Sequence, residues 1–416
     1  MSNHGSDNHN PYAAIQVRDF RLFILSRLFI TLALMIQAVV VGWQVYEITK
    51  DPLSLGLIGL AEALPAIGVS LYAGHLADIV ERKKIILVCV VTLVLCSMAL
   101  LFFTLDIGKF ILTNGAIPIY TVIFISGIAR GFLTPANFSF MPQLINRDLY
   151  QNAITWNSTI WESAAVGGPM IGGLIYGFFG ITAAYCADVT LTFAALVCYF
   201  LIPNRPLPAV TKEQGIWEKI KAGLNFVFTN QIILGAITLD LFAVLFGGAV
   251  ALLPIFADEI LHVGAVGLGF LRSAPSVGAL LMAVYMTHHP IRRNLGKILL
   301  WCVAGFGFCM IGFGLSTSFW LSMALLVLSG AFDCVSVIAR GTMIHTLTPE
   351  NMKGRVSAVN SIFVGSSNEI GAFESGVAAK FLGTVRSVVF GGMMTLAVVG
   401  VTAWKAVKLR RLNSLH

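Results

Sequence analysis

Long apolar runs broken by short polar segments dominate the chain. They predict helices over 20–48, 53–78, 85–105, 117–140, 153–179, 183–203, 231–255, 266–287, 298–316, 319–342, 357–381 and 386–406. Each run is close to the roughly 20 residues needed to cross a bilayer as a helix. The runs are continuously apolar and do not alternate in polarity, which excludes a transmembrane barrel. The longest connection, 204–230, opens with Arg205-Pro206-Leu207-Pro208. It then places Ile216, Ile220, Leu224 and Val227 at helical spacing beside Lys219 and Lys221. That is the pattern of an amphipathic helix lying at a membrane interface. The chain thus divides into a polar tail (1–19), a six-helix bundle (20–203), a linker (204–230), a second six-helix bundle (231–406) and a basic tail (407–416).

Composition agrees with this class. The chain has 416 residues, 57% hydrophobic and 11% charged, whereas a soluble domain carries about 25% charged residues. A single water-soluble core stops growing at roughly 250–300 residues and has no means of hiding so much apolar surface. The expected fold is therefore an all-α polytopic membrane protein of twelve spans in two pseudo-symmetric bundles. The net charge of +7 is not spread as a nucleic-acid footprint. Lys and Arg gather in alternate loops, at Arg18 and Arg21, Arg82-Lys83-Lys84, Arg147, Arg205 to Lys221, Arg292 to Lys297, Lys353 and Arg355, and Lys405 to Arg411. The opposite loops hold only Lys50, Lys109, Lys380 and Arg386. The positive-inside rule then places both termini in the cytoplasm. The polar N-terminus, Met1 to Gln16, does not have the form of a cleavable signal peptide. His4 and His9 in that tail suggest no metal site, and the seven cysteines sit inside apolar runs without a C-x-x-C pair. No cofactor and no metal are expected.

The two halves echo each other. Ser126-Gly127 matches Ser329-Gly330 at a shift of 203, as do Asn157-Ser158 with Asn360-Ser361, Gly168 with Gly371 and Gly173 with Gly376. Gly59, Pro65 and Gly68 match Gly269, Pro275 and Gly278 at a shift of 210. Parallel six-helix repeats place a site near the bilayer midplane between the halves, and rocking exposes it to alternate sides.

The segment Gly74-His75-Leu76-Ala77-Asp78-Ile79-Val80-Glu81-Arg82-Lys83-Lys84 resembles the G-x-x-x-D-(R/K)-x-G-(R/K)-(R/K) signature of the major facilitator superfamily. Ile79 stands where a basic residue is usual, and Glu81 stands where glycine is usual. The resemblance implies a gate. A small residue at Gly74 permits close helix approach, Asp78 caps a neighbouring helix, and Arg82 and Lys83 pair across the cytoplasmic face. In the fifth span, Gly167-Gly168-Pro169-Met170-Ile171-Gly172-Gly173 resembles the G-P-x-x-G-G motif of the superfamily's drug:proton antiporters. There Pro169 bends the helix, while Gly168, Gly172 and Gly173 pack on a neighbour and seal the cell-facing pathway. Gly127-Ile128-Ala129-Arg130-Gly131 partly matches the superfamily's arginine motif but lacks the usual Gln. With Thr348-Pro349-Glu350-x-Met352-x-Gly354-Arg355, the whole pattern is most similar to the siderophore- and macrolide-exporting branch that includes the enterobactin exporter. That branch implies a monomer in the bacterial inner membrane, exporting a small amphipathic molecule against a flow of protons.

Ionisable groups inside spans cost at least about 2.5 kcal/mol each on insertion scales, so each needs a reason. The bases are Arg27, Arg130, Arg272 and Arg340, and the acids are Glu62, Glu162, Asp188, Asp240, Asp333, Glu369 and Glu374. The acids outnumber the bases. The surplus must be protonated or lie in a wet cavity, which makes a carrier for one proton per cycle. Candidate cavity residues are Arg27, Glu62, Arg130, Glu162, Asp240, Arg272, Asp333, Glu369 and Glu374. Ser329, Asp333, Ser336 and Arg340 form one helical stripe, with Asp333 and Arg340 coupled along it. Asn360, Ser367, Gly371 and Glu374 form a second stripe. Glu62 with Arg272, and Arg130 with Asp333, occupy equivalent repeat positions, which suggests charge pairing across the halves. Asp188 and Arg340 lie near span ends, where snorkelling is the simplest expectation. Trp43, Tyr46, Trp320 and Trp404 suggest an interfacial belt, while Trp156 and Trp161 flank a polar stripe of the fifth span.

The chain contains no phosphate-binding G-x-x-x-x-G-K-(S/T) loop, no H-E-x-x-H motif and no G-x-S-x-G elbow. An enzyme is therefore not expected. The alternatives to export are an importer or lysophospholipid carrier on the same fold and, more remotely, a membrane sensor.

Overall fold

The computed structural model describes residues 11–105, 115–205, 216–289, 291, 293–349, 352–410 and 412. The side chains of Asp78, Ile216, Lys219 and Ile220 and the residues Lys109, Pro206, Pro208 and Arg292 lie outside the described set, as do His4 and His9. Among the described residues, ten segments are long and apolar enough to cross a membrane. One of them, Arg147–Leu201, is two helices folded at Gly180, where φ is +82°. A further 30-residue helix, Lys353–Leu382, is less apolar because it carries Lys353, Arg355, Glu369, Glu374 and Lys380. Twelve spanning helices result: α1 (Arg18–Thr49), α2 (Pro52–Ile79), α3 (Arg82–Phe102), α4 (Ile117–Phe140), α5 (150–179), α6 (181–201), α7 (from Gln231 to Gly247, continuing to Ile260), α8 (Gly264–His288), α9 (Leu295–Leu315), α10 (Phe319–Leu347), α11 (Lys353–Leu382) and α12 (Thr384–Lys405). The end of the molecule that holds the termini and the linker is termed the terminal face, and the opposite end the distal face.

Most of the matched glycines are contact points with equivalent contacts in both halves; Gly68 is the exception, meeting nothing within 4 Å where its match Gly278 meets Val327. A Cβ on Gly127 of α4 would meet Glu62 and Pro65 of α2, and one on Gly330 of α10 would meet Pro275 of α8. Gly168 packs α5 on Met35 of α1, and Gly371 packs α11 on the Val244 and Leu245 carbonyls of α7. The correspondence extends to the turns. Gly180, before α6, and Gly383, before α12, are 203 residues apart and both have positive φ, a conformation glycine adopts without a Cβ penalty.

The linker helix, Ile216–Thr229, forms as the spacing predicts. It packs onto the second bundle, with Val227 and Leu224 set against Ile233, Ile237, Ile344 and Val356. The helix is therefore partly docked on protein, since its apolar face finds the ends of α7, α10 and α11. Trp320 and Trp404 are exposed, as a membrane belt requires. Trp43 and Tyr46 are buried instead. Their rings belong to a hydrophobic cluster that joins the two halves at the distal face, because α7 breaks at Gly248 and folds its last turns over α1.

Candidate functional site: the seam between the halves

Two helix pairs close the seam, α2 with α11 and α5 with α8. Both contacts lie toward the distal face and both rely on missing side chains. A Cβ on Gly56 would lie 3.0 Å from the Phe373 carbonyl, and one on Gly376 2.8 Å from the Gly56 Cα. A Cβ on Gly173 would lie 2.7 Å from the Ala265 carbonyl and 2.8 Å from the Gly269 Cα. Helical periodicity shows what happens further along. Gly74 is five turns from Gly56 on the same face of α2, about 27 Å away, and a Cβ there would meet nothing within 4 Å. Gly365, two turns from Ala372 on α11, is equally open. The halves therefore touch at the distal face and splay toward the terminal face.

One wall of the opening is the polar stripe of α5. Gln151, Thr155, Ser158 and Thr159 are exposed and Glu162 is half-buried. Glu162 lies on the seam face of α5 three turns from Gly173, about 16 Å along the axis, and shares Cys334 of α10 as an electrostatic neighbour with Asp333. Trp161 stands exposed beside the stripe. Trp156 is engaged elsewhere. Its indole donates 2.9 Å to the Pro11 carbonyl, next to the Tyr12 ring.

At the apex of the opening lies a balanced set of charges. Arg130 of α4 pairs with Glu62 of α2. Arg272 of α8 donates 3.3 Å across the seam to the Ala38 carbonyl of α1. Glu369 of α11 feels both arginines. The expected pairing of Glu62 and Arg130 across the halves is thus corrected. They pair with each other inside the first half, because the Gly127 contact brings α2 and α4 together at that level. The seam is crossed by Arg272 and approached by Glu369.

Other expected cavity residues lie elsewhere. Asp240 of α7 is buried in an ion pair with Arg340 of α10, both side chains 5% exposed. Asp240 is thus enclosed by its partner within the second half, Arg340 does not snorkel, and its partner is not Asp333. Of that stripe, Ser329, Ser336 and Arg340 are buried within the second half, whereas Asp333 is partly exposed. Asp188 is 1% exposed beside Ser97 and Thr192, again without snorkelling. On α11, Ser367 is buried and Gly371 packs on α7, so that stripe is a packing seam. Glu374 is half-buried, and so is Arg27, which lies within electrostatic range of the buried Tyr199.

The gate motif sits at the terminal face. Arg82 Nε donates 3.2 Å to the Ala77 carbonyl at the end of α2. Lys83 Nζ donates to the carbonyls of Phe200, at 3.0 Å, and Ile202 at the end of α6. Both cations thus neutralise helix C-termini, where the macrodipole is negative. Gly74 does not mark a close approach in this splayed state. The Pro169 motif, expected to seal the cell-facing pathway, lies in the distal closure. Gly168 and Gly172 pack on Met35 and Ile36 of α1, and Gly173 packs on α8.

The sequence pattern does not reveal the distal latch. Lys50 caps α1 in a left-handed conformation and Asp51 caps α2 through the Leu53 amide. This tight turn points both side chains at the second half. Lys50 pairs with Asp258 at 2.7 Å and Lys380 with Asp51 at 3.3 Å. The Tyr46 hydroxyl donates to Glu259, and Tyr176 and Trp43 both donate to Glu47, at 2.8 Å and 2.7 Å. The available signal is that Lys50 and Lys380 are isolated cations on the cation-poor face. These pairs are solvent-exposed, and each is worth no more than about 1 kcal/mol. Lys50→Ala with Lys380→Ala should therefore raise distal accessibility of the seam modestly, by less than about 30-fold, as measured by maleimide labelling of a cysteine placed at Leu55.

Two six-helix repeats joined by a linker, closed at one face and open at the other around a charged seam, define a secondary transporter of the major facilitator superfamily. The chain belongs to the MFS_3 family, described as transmembrane secretion effectors, whose model matches residues 9–416. It is 27% identical over 384 residues to the enterobactin exporter EntS of Shigella dysenteriae serotype 1, covering 92% of this chain and 90% of that one. It is 26% identical over 394 residues to EntS of Escherichia coli O157:H7, covering 94% and 92%. Among solved structures it is similar to a POT family transporter in complex with 5-aminolevulinic acid, with a TM-score of 0.74, 12% identity and coverage of 94% and 96%. It is also similar to a bacterial homologue of the iron transporter ferroportin in an inward-facing state, with a TM-score of 0.67, 15% identity and coverage of 95% and 99%. The protein is a multi-pass membrane transporter and not an enzyme.

Proposed function

We propose that this transporter is a proton-coupled exporter of an amphipathic organic molecule, siderophore-like or drug-like, working by alternating access in a bacterial inner membrane. The terminal face is cytoplasmic on this reading, in keeping with the cationic loops, so the state described is open to the cytoplasm. The observation that carries the reading is the wall of α5. A polar stripe ending in Glu162, bordered by Trp161, offers a wet and an apolar surface side by side, which suits an amphiphile. The distal seal above it keeps a captured molecule from the far side until the halves rock. The likeness to enterobactin exporters over nine-tenths of both chains supports the direction.

Everted membrane vesicles energised with a respiratory substrate test the reading. A panel of macrolides, cationic dyes and catecholate siderophores should include a compound that accumulates inside, and the accumulation should collapse when nigericin dissipates the pH gradient. Accumulation only in right-side-out vesicles would indicate an importer or lipid carrier and defeat the export assignment. In the same vesicles Arg82→Ala should impair flux while the protein stays inserted, because the end of α2 loses its cap. Asp78→Asn should do the same if the gate signature works as the family resemblance implies. Full flux in both variants would remove the gate from the mechanism.

A further inference from the structure

We propose that a polar cluster enclosed between α3 and α6 of the first half binds a small hard cation, a proton or a sodium ion, on the Asp188 carboxylate, with the Ser97 and Thr192 hydroxyls as its other partners. Asp188 lies on α6 about two turns in from Gly180, and Ser97 lies on α3. Asp188, Ser97 and Thr192 are 1%, 3% and 2% exposed. Cys96, next to Ser97, and Tyr185, one turn before Asp188, belong to an apolar cluster that also holds Val41, Val45, Leu100 and Ile119. The site is thus sealed inside the first half, where its occupant braces α3 against α6. It does not rest on the exporter reading.

Three observations converge on it. The first is an orphaned charge. Asp188 makes no ion pair among the described residues, and its Oδ2 atom has no hydrogen-bond partner. A carboxylate kept from water is costly unless a cation or a proton neutralises it. The second is a shortage of hydrogens. Both hydroxyls neighbour the carboxylate. Thr192 gives its one hydroxyl hydrogen to the Asp188 backbone carbonyl at 2.7 Å, so it offers the carboxylate only lone pairs. Ser97 Oγ lies 3.5 Å from Thr192 Oγ1 and has a single hydrogen to share between its two neighbours. Oxygens that only accept are held together by a proton or a cation. The third is the repeat, which serves as an internal control. At the shift of 203, Thr192 corresponds to Thr395, Asp188 to Gly391 and Ser97 to Leu300. Thr395 repeats the hydroxyl bond, donating 3.0 Å to the Gly391 carbonyl. There, however, Gly391 packs α12 directly on the Phe246 carbonyl of α7, and Leu300 is buried. The second half closes this level with glycine and leucine, so packing alone does not call for a carboxylate and a hydroxyl.

The titratable groups facing Asp188 are Cys96 on α3 and Tyr185 on α6, both within electrostatic range of it. Behind Tyr185 stand Tyr176 of α5 and Gln44 of α1, and Gln44 accepts the Tyr185 hydroxyl at 2.6 Å. On α4, Tyr120 donates 2.9 Å to the Ser54 carbonyl of α2 instead. No lysine, arginine or histidine pairs with Asp188 among the described residues. With a proton as occupant, an O–H bond forms on an Asp188 oxygen, a hydroxyl lone pair accepts it, and the bond breaks when the proton returns to water. With sodium, the carboxylate and the two hydroxyl oxygens are the ligands, and no bond to hydrogen changes. Either occupant brings the cluster from one negative charge to zero.

The full-length protein in lipid nanodiscs tests the site. If the occupant is a proton, infrared spectra across a pH series should contain the C=O stretch of a titrating carboxylic acid that Asp188→Asn removes. If it is sodium, the thermal unfolding midpoint should rise with NaCl but not with KCl at equal ionic strength, and Asp188→Asn should abolish the rise. Ser97→Ala keeps the carboxylate and should shift the titration midpoint or weaken the sodium response, so it serves if Asp188→Asn does not fold. An acid band of constant size at every pH, with no response to sodium, makes Asp188 a fixed neutral acid and overturns the site. Absence of both signals, or signals that persist unchanged in the variants, overturns it as well. Neither readout involves transport, so failure here leaves the exporter reading standing, and failure of export leaves the site standing.

Discussion

Arg340→Ala should be the most damaging single substitution outside the seam, costing about 3–5 kcal/mol. The side chain is 5% exposed and its partner Asp240 is equally enclosed. Removing the guanidinium leaves a buried carboxylate with nothing to balance it. The variant should be poorly recovered from membranes, and the remainder should unfold at markedly lower temperature in detergent. Replacing both partners by apolar residues of similar volume, Asp240→Leu with Arg340→Met, should restore most of the stability, because two desolvated charges cost more than well-packed methylenes. Equal stability of wild type and Arg340→Ala in a thermal melt followed by tryptophan fluorescence would show that the pair is not enclosed.

Gly173→Val should shift the conformational balance rather than the folding. The added Cβ would sit 2.7 Å from the Ala265 carbonyl and 2.8 Å from the Gly269 Cα. Both atoms are backbone, so no side chain can swing away. Overpacking of this kind costs about 1–3 kcal/mol, and it is charged only to the state in which α5 and α8 touch. A free-energy difference of that size moves an equilibrium by about 5–150-fold. The terminal-open state should lose population, and transport should fall steeply because the cycle must pass through it. Leu55 is buried in the distal cluster shared by both halves. A cysteine at that position, in a background free of the seven native cysteines, should label faster from the distal side in Gly173→Val than in its parent. Gly376→Val should behave alike, since α11 meets α2 at Gly56 by the same device. Unchanged labelling in both variants would remove the glycine contacts from the closure.

The two closures differ in what they contribute. Backbone contacts at Gly56, Gly173, Gly269 and Gly376 set how near the halves come, and they are insensitive to salt. The latch of Lys50, Asp51, Asp258 and Lys380 is exposed and therefore screened at physiological ionic strength, over a Debye length of about 8 Å. High salt should loosen the latch while leaving the glycine closure in place. The cycle then has a stiff contact that defines the closed geometry and a soft one that adjusts how long it lasts.

The twelve spans were legible because a bilayer imposes one demand on every segment, a run of apolar residues of fixed length, and that demand is local. The helix that meets this demand least is α11, whose Lys353, Arg355, Glu369, Glu374 and Lys380 dilute its apolar run, while α7 meets it even though its last turns after Gly248 form an irregular stretch buried against α1 and α8. The repeat was legible as well. Gly127, Gly168, Gly173 and their partners 203 residues on are kept small by helix contacts that recur in each half, so their spacing survives in the chain. Which charge meets which did not follow from the same information. Glu62 and Arg272 hold equivalent places, yet one pairs within its own half and the other reaches across the seam. Asp240 and Arg340 lie 100 residues apart and enclose each other. Ion pairing falls off within a few ångströms, and side-chain spacing along one helix says nothing about the rotation of the helix facing it. Span number and repeat are thus encoded by composition and period, while the buried pair and the distal latch exist only once packing has brought distant helices to within hydrogen-bonding reach.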